Sequence, residues 1–251
     1  MTARPEPLPP AERTIGQLIG ESIRAYGRRF LLSALLVGVP VATLDLVVAQ
    51  FERPWSFVVA VLGGAVLVTA AYVAACALVL DVPREPRRFV LALAFGAAVF
   101  LPFPFLVTVF VLPGLAWFAA VGLGVPAILV EGLGLGGALR RGVRLGLADF
   151  VHALGALAAL AIVYFVARFG LAVLLRGQGE QTEAVAAFLS DVVVAPVLFL
   201  GSALLYVDQA ARVVDSGPST RTRVRRTTSR ADLHPADDAH RTGRSDAQVE
   251  P

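Results

Sequence analysis

The stretch FVLALAFGAAVFLPFPFLVTVFVLPGLAWFAAVGLGVPAILV, residues 89–130, contains no charged residue. A helix rises about 1.5 Å per residue, so about 20 residues cross the hydrocarbon core of a bilayer. The stretch is about twice that length, and Pro113-Gly114 offers a natural break within it. It therefore predicts two membrane-spanning helices, at about 89–112 and 114–130.

Four further apolar stretches lie outside this pair. They predict membrane spans at about 30–50, 55–80, 150–175 and 184–207. Two other segments repeat apolar residues every three or four positions with polar residues between them, at 14–29 and about 132–148. This pattern predicts amphipathic helices that lie on the membrane surface. The predicted fold class is all-α: a polytopic integral membrane protein with six transmembrane helices and two interfacial helices.

The composition separates this chain from soluble domains. Hydrophobic residues make up 57% of its 251 residues and charged residues 16%, whereas soluble domains carry about 25% charged residues. Residues 1–13 are rich in proline and charge, and residues 208–251 are rich in Ser, Thr, Arg and Asp. We expect both ends to be disordered, which leaves a membrane domain at 14–207.

The arginines fall mostly on one side of the predicted spans. Of the 22 basic residues, 19 lie in the N-terminal segment, in the loops after the second and fourth spans, and in the C-terminal tail. Cytoplasmic segments of membrane proteins carry an excess of Arg and Lys. The distribution predicts that both termini lie in the cytoplasm, and we expect a multi-pass protein of the bacterial cytoplasmic (inner) membrane.

A faint internal repeat relates the two predicted surface helices. Residues 15–30 align with residues 135–150 at an offset of 120, with identities at Gly16/Gly136, Arg24/Arg144 and Phe30/Phe150. Each copy leads into a pair of spans from the same side. The alignment fits a duplication, but three identities also fit chance, and both interpretations stay open at this point.

Three charged residues fall inside predicted spans: Asp45, Arg168 and Asp191. Charges in a membrane span are costly and are candidate functional residues. All three fall in the outer third of the membrane, so we expect Arg168 to pair with one or both aspartates. This polar cluster either serves as a site for a lipid headgroup or ion, or has only a structural role.

The C-terminal tail contains a basic run, RTRVRRTTSR at 221–230, without an acidic residue. Such runs beside a last span attract anionic lipid, although a plain solvated tail is the simpler alternative. The candidate lipid contacts are Arg221, Arg223, Arg225, Arg226 and Arg230. We expect no nucleic-acid partner, because the sequence contains no recognisable nucleic-acid-binding module.

Motifs for catalysis or for a cofactor are lacking. The sequence at 132–137, GLGLGG, matches GxGxxG, but the nucleotide fingerprint needs a strand before it and a βαβ unit around it. No GxSxG elbow and no cluster of metal ligands is present. We therefore predict no catalytic, cofactor or metal-binding residues and a protein that is not an enzyme.

Two stretches resemble a known family. These are TIGQLIGESIRAYGRRF at 14–30, which leads directly into the first span, and LPGLAWFAAVGLGVPAILVEGLGLGGALRRGVRL at 112–145. They resemble the membrane domain of bacterial glycerophosphoryl diester phosphodiesterases and its stand-alone relatives, over roughly 14–207. In the enzymes the chemistry belongs to a separate barrel of about 250 residues, and we expect no such barrel among these 251 residues. The resemblance implies a membrane module connected to lipid metabolism through a partner, with no activity of its own.

The expected function is a non-enzymatic membrane module that scaffolds a partner or organises lipid. Its expected partners are membrane lipids and a lipid-metabolising membrane enzyme. The alternative is a small transporter or channel for a lipid or polar solute, which would move its cargo past Asp45, Arg168 and Asp191.

Overall fold

The computed structural model describes residues 10–80, 82–174 and 180–215, and every element in these ranges is helical. Two amphipathic helices are α1 (Ile15–Arg28) and α6 (Leu135–Ala148). Six helices are long and apolar enough to cross a membrane: α2 (Phe30–Val48), α3 (Trp55–Val79), α4 (Pro86–Thr108), α5 (Val111–Glu131), α7 (Phe150–Leu174) and α8 (Glu180–Asp215, apolar over Ala184–Val214). The predicted all-α, multi-pass membrane fold is confirmed.

Consecutive spans alternate in direction, which gives the bundle two different ends. We call the end with α1, α6 and the last turns of α8 the terminal end. The opposite end, where α2 meets α3, α4 meets α5 and α7 meets α8, is the distal end.

The boundary between α4 and α5 differs from the predicted one. The chain is extended at Phe110, with φ −169° and ψ 147°, and α5 begins at the next residue. Pro113 therefore lies in the first turn of α5, where a backbone N–H has no partner within the helix. The predicted break at Pro113-Gly114 was wrong because proline is tolerated just inside a helix start as readily as in a turn.

The last span is longer than predicted. It was expected at 184–207, but α8 runs from Glu180 to Asp215. Residues 208–215, assigned to a disordered tail, are therefore helical, and residues 10–12 of the N-terminal tail form a 3₁₀ turn. Asp208 and Arg212, in this part of α8, form ion pairs with Arg13 and Asp149, as described below. The rest of both predicted tails, 1–9 and 216–251, lies outside the described residues.

The helix ends follow from local chemistry. Thr14 and Gln17 form a capping box at the start of α1: the Gln17 N–H donates to Thr14 Oγ1 at 3.4 Å, and the Thr14 N–H donates to Gln17 Oε1 at 3.0 Å. At the end of α5, Gly132 has φ +69°, a conformation that favours glycine. The first glycine of the GxGxxG sequence is thus a helix C-cap.

The two amphipathic helices match at the offset of 120 residues. Both contain 14 residues, and a single non-helical residue, Arg29 or Asp149, separates each from the span that follows. The buried stripe also matches: Leu18, Ser22 and Tyr26 in α1 correspond to Ala138, Gly142 and Gly146 in α6. This agreement in boundaries and in buried positions favours a duplication over chance.

The middle of the bundle is filled by aromatic side chains. Tyr72 of α3 is fully buried, and its ring lies 6.1 Å from Phe100 of α4, 5.2 Å from Phe118 of α5 and 6.2 Å from Phe199 of α8, measured between centroids. Rings at these distances and inclined to one another are favourably packed. Four spans therefore share one core.

Candidate functional site

Three spans bring the predicted intramembrane charges together near the distal end. Arg168 of α7 lies between the two aspartates: its Nη2 is 2.5 Å from Asp45 Oδ2 of α2, and its Nη1 is 2.6 Å from Asp191 Oδ1 of α8. The guanidinium thus bridges two carboxylates, an arrangement that suits its fixed fork of donors. We call Asp45, Tyr164, Arg168 and Asp191 the distal cluster.

Tyr164 completes this cluster and was not singled out from the sequence. It lies one turn before Arg168 in α7, so its hydroxyl is on the same face. The hydroxyl donates to Asp191 Oδ1 at 2.6 Å and accepts from Arg168 Nη1 at 2.9 Å. A tyrosine is common in an apolar helix. Its spacing of four residues from Arg168, however, could have indicated that the two side chains lie on the same face of the span.

The distal cluster contains two carboxyl groups but one guanidinium. Asp191 is fully buried; its Oδ1 receives two hydrogen bonds, and its Oδ2 receives none. Asp45 and Asp191 contact two nitrogens of the same guanidinium, which brings the two carboxyl groups close together. Because arginine stays protonated in proteins, two ionised aspartates and one guanidinium leave one negative charge unbalanced among the described side chains.

Beside the cluster is a pocket between α2, α7 and α8. Its volume is about 140 Å³, and its walls are mostly alanine, leucine and phenylalanine. The side chains of Asp45 and Arg168 are 44% and 32% exposed and line the pocket, whereas Asp191 is fully buried. The lining consists of Ala42, Asp45, Leu46, Ala49, Arg168, Ala184, Ala187 and Phe188.

A close approach of α2 to α8 places these groups. A Cβ at Gly38 would collide with the backbone of Val192, so only glycine allows the two helices to touch there. Gly38 ends a π-helical turn, Ala34–Gly38, within α2, and such turns are frequent at functional sites. Asp45 lies two turns further along α2, and Asp191 directly precedes the contact in α8.

A second group of charges, at the terminal end, was missed by the sequence analysis. Arg13 Nη1 is 2.7 Å from Asp208 Oδ1 and 3.2 Å from Glu21 Oε2. Arg212 Nη1 donates to Asp149 Oδ2 at 2.9 Å, and its Nη2 donates to the Arg13 carbonyl at 3.3 Å. We call these five residues the terminal cluster. It connects α1, the junction of α6 with α7, and α8.

The five tail arginines proposed as lipid contacts, Arg221, Arg223, Arg225, Arg226 and Arg230, lie outside the described residues. Within 10–80, 82–174 and 180–215, no three His, Cys, Asp or Glu side chains converge in a way that could hold a metal ion. Among the described residues, the distal cluster with its pocket is therefore the site whose geometry could bind a ligand.

Comparison with known proteins adds no relative. A scan against protein-family models, a search of curated proteins and a search of solved structures each found no match. The resemblance to the phosphodiesterase membrane domain accordingly stays a prediction from the sequence.

Proposed function

We propose that this chain is a non-catalytic membrane module that holds a lipid headgroup in the distal pocket and so organises lipid around itself or for a partner. The observation that carries this proposal is the position of an ionic cluster at an apolar-walled pocket between three spans, α2, α7 and α8. A headgroup needs charged partners, and the chain attached to it needs an apolar wall. Asp45 and Arg168 supply the first, and Ala42, Leu46 and Phe188 the second.

The outer surface beside the pocket suits a lipid ligand. Leu46, which lines the pocket, is 44% exposed, and Leu189, next to pocket residue Phe188, is 53% exposed. In a membrane these side chains would contact acyl chains, because a membrane-embedded surface is apolar. A lipid already in the bilayer could therefore reach the pocket sideways, without passing through the protein.

The alternative, a transporter or channel, has less support. Transport needs a route through the middle of the bundle, where Tyr72, Phe100, Phe118 and Phe199 pack against one another and are all at least nine-tenths buried. The described spans hold their charged groups near the two ends, away from this aromatic core. A binding module needs no such route.

The setting of this module is part of the proposal. We place both termini in the cytoplasm on the basis of the arginine distribution, and we place the protein in a bacterial cytoplasmic membrane because the family that it resembles is bacterial. The distal pocket would then face the outer leaflet, while the arginine-rich tail would contact anionic lipid of the inner leaflet. A lipid-metabolising enzyme is the proposed protein partner.

Filling the pocket tests this function. Ala187→Trp would place an indole where the headgroup is proposed to bind, whereas Ala94→Trp adds the same side chain on the exposed face of α4. After purification in mild detergent, native mass spectrometry should detect retained phospholipid on the wild type and on Ala94→Trp but much less on Ala187→Trp. A wild-type protein that retains no lipid, or equal retention by all three, would contradict the proposal.

A further inference from the structure

We infer that the ligand of the distal pocket carries a primary ammonium group, bound by Asp45 beside the buried Asp191. This inference rests on the proposed function and specifies the chemistry of the headgroup. The pocket would then select an aminophospholipid of the ethanolamine type, or a free alkylamine of the same chemistry, over headgroups that lack an N–H donor.

The first argument is charge. Two carboxyl groups share one guanidinium in the distal cluster: Asp45 contacts Arg168 Nη2 and Asp191 contacts Arg168 Nη1. Two like charges this close in a poorly hydrated site are unfavourable unless a further positive charge or a proton joins them. A cationic ligand in the pocket would balance the group and remain attached to it.

The second argument concerns which charged groups a ligand in the pocket can reach. Arg168 is occupied on both sides, by Asp45 and by Asp191 with Tyr164. Asp191 is fully buried. Asp45 is 44% exposed and lines the pocket, so a carboxylate is the most available charged group. A carboxylate accepts hydrogen bonds, and an ammonium group donates up to three.

The third argument concerns the walls. Ala42, Ala49, Ala184 and Ala187 present short apolar side chains, and Phe188 presents an aromatic ring. These surfaces suit the methylene groups that connect an amine to the rest of a small headgroup. They would give little solvation to an inorganic cation, which keeps its water or demands several oxygen ligands. An organic ammonium group fits both the walls and the carboxylate.

A comparison of headgroups tests the inference. Delipidated full-length protein in detergent would be mixed with phospholipids that have identical acyl chains and ethanolamine, choline or glycerol headgroups, and bound lipid would be quantified by native mass spectrometry. We expect ethanolamine lipid to bind roughly five- to tenfold better than choline lipid, the order of one charge-assisted hydrogen bond at a partly exposed site. Choline retains the positive charge but has no N–H donor.

A matched pair of variants assigns the effect to Asp45. Asp45→Asn should remove most of the ethanolamine preference while lipid binding continues. Glu52→Gln removes an exposed carboxylate at the same end but outside the pocket, and should keep the preference. Wild-type binding without headgroup preference would overturn the ammonium inference and leave the proposed function standing. Preference that persists in Asp45→Asn would overturn the assignment to Asp45, and a wild type that binds no lipid would overturn both.

Free ethanolamine distinguishes the two sources of the amine. If the natural ligand is a lipid, millimolar ethanolamine alone should not raise the melting temperature of the protein, whereas the ethanolamine phospholipid should. If the ligand is a free amine, ethanolamine alone should raise the melting temperature of the wild type and not that of Asp45→Asn. Either pattern supports an ammonium ligand, and the absence of any response to both amines would contradict it.

Discussion

The distal and terminal clusters lie near opposite ends of α8 and are built differently. In the distal cluster one guanidinium serves two aspartates, and one of these borders a pocket. In the terminal cluster two guanidiniums serve three carboxylates, and Arg212 also donates to the main-chain carbonyl of Arg13. The terminal cluster connects segments that are distant in sequence. The distal cluster has an exposed carboxylate that is available to a ligand.

This difference suggests a division of roles, with the terminal cluster contributing mainly to stability and the distal cluster mainly to binding. Asp208 is fully buried, and the Arg13 side chain that it binds is only 12% exposed. Removing the Asp208 charge would leave the nearly buried Arg13 guanidinium with Glu21, at 3.2 Å, as its remaining carboxylate, which is a costly loss of compensation. Asp45, at 44% exposed, is better solvated, and its loss should disturb the fold much less.

The largest expected effect comes from the terminal cluster. Asp208→Asn should lower the free energy of unfolding by about 3 kcal/mol, because Arg13 would remain buried without its closest carboxylate. Unfolding in mixed micelles of increasing denaturing-detergent content would measure this change. Glu12→Gln, in the exposed turn directly before Arg13, is the control and should change stability by less than about 0.5 kcal/mol. Equal losses of unfolding free energy in the two variants would contradict a stabilising role for the terminal cluster.

Arg168 should have the next largest effect. Arg168→Gln would leave two neighbouring carboxyl groups without their cation and should reduce the free energy of unfolding by about 2 kcal/mol, less than a fully buried ion pair because the side chain is one-third exposed. Adding Asp191→Asn should restore part of the loss. A double variant that is as unstable as the sum of the two single variants would show that the charges are not coupled.

The sequence predicted the distal cluster because a charged residue is unusual within an apolar membrane span. Asp45, Arg168 and Asp191 interrupt apolar stretches, and charge inside a span is costly enough to imply a partner. The terminal cluster gave no such signal. Arg13 and Asp208 are 195 residues apart and each lies at the edge of a polar segment, where charge is ordinary. Their pairing depends on tertiary structure that one sequence does not display.

Helix packing shows the same limit. The amphipathic pattern predicted α6, but it did not predict how closely α6 approaches α5. A Cβ at Gly142 would lie 2.8 Å from the Gly124 nitrogen, and a Cβ at Gly146 would collide with the Ala119 carbonyl. With Ala138 these glycines form a stripe of small residues, a pattern that permits close helix contact in membranes. The arginines between these small residues indicated a helix with one exposed face, but they gave no information on how closely its opposite face packs.

Tyr164→Phe should have a smaller effect on stability, because it removes a hydrogen bond from the distal cluster but no charge. Tyr164→Phe keeps the ring and removes the hydroxyl that donates to Asp191 Oδ1 at 2.6 Å. The free energy of unfolding should fall by about 1.5 kcal/mol, the low end of the range for a hydrogen bond to a charged group. Lipid binding should persist, since Asp45 and Arg168 remain in place. Loss of lipid binding without loss of stability would place the Tyr164 hydroxyl in the binding site itself.

The smallest effect on stability should come from Asp45→Asn, and this variant tests the comparison most directly. Its ion pair with Arg168 is nearly half exposed, and exposed ion pairs contribute about 0–1 kcal/mol. Removing this carboxylate also relieves its repulsion with Asp191, which offsets part of the lost attraction. We therefore expect a change below about 0.5 kcal/mol in the denaturing-detergent titration, together with a clear loss of the headgroup preference. A loss of stability as large as that of Asp208→Asn would mean that both clusters hold the fold together and that neither is reserved for a ligand.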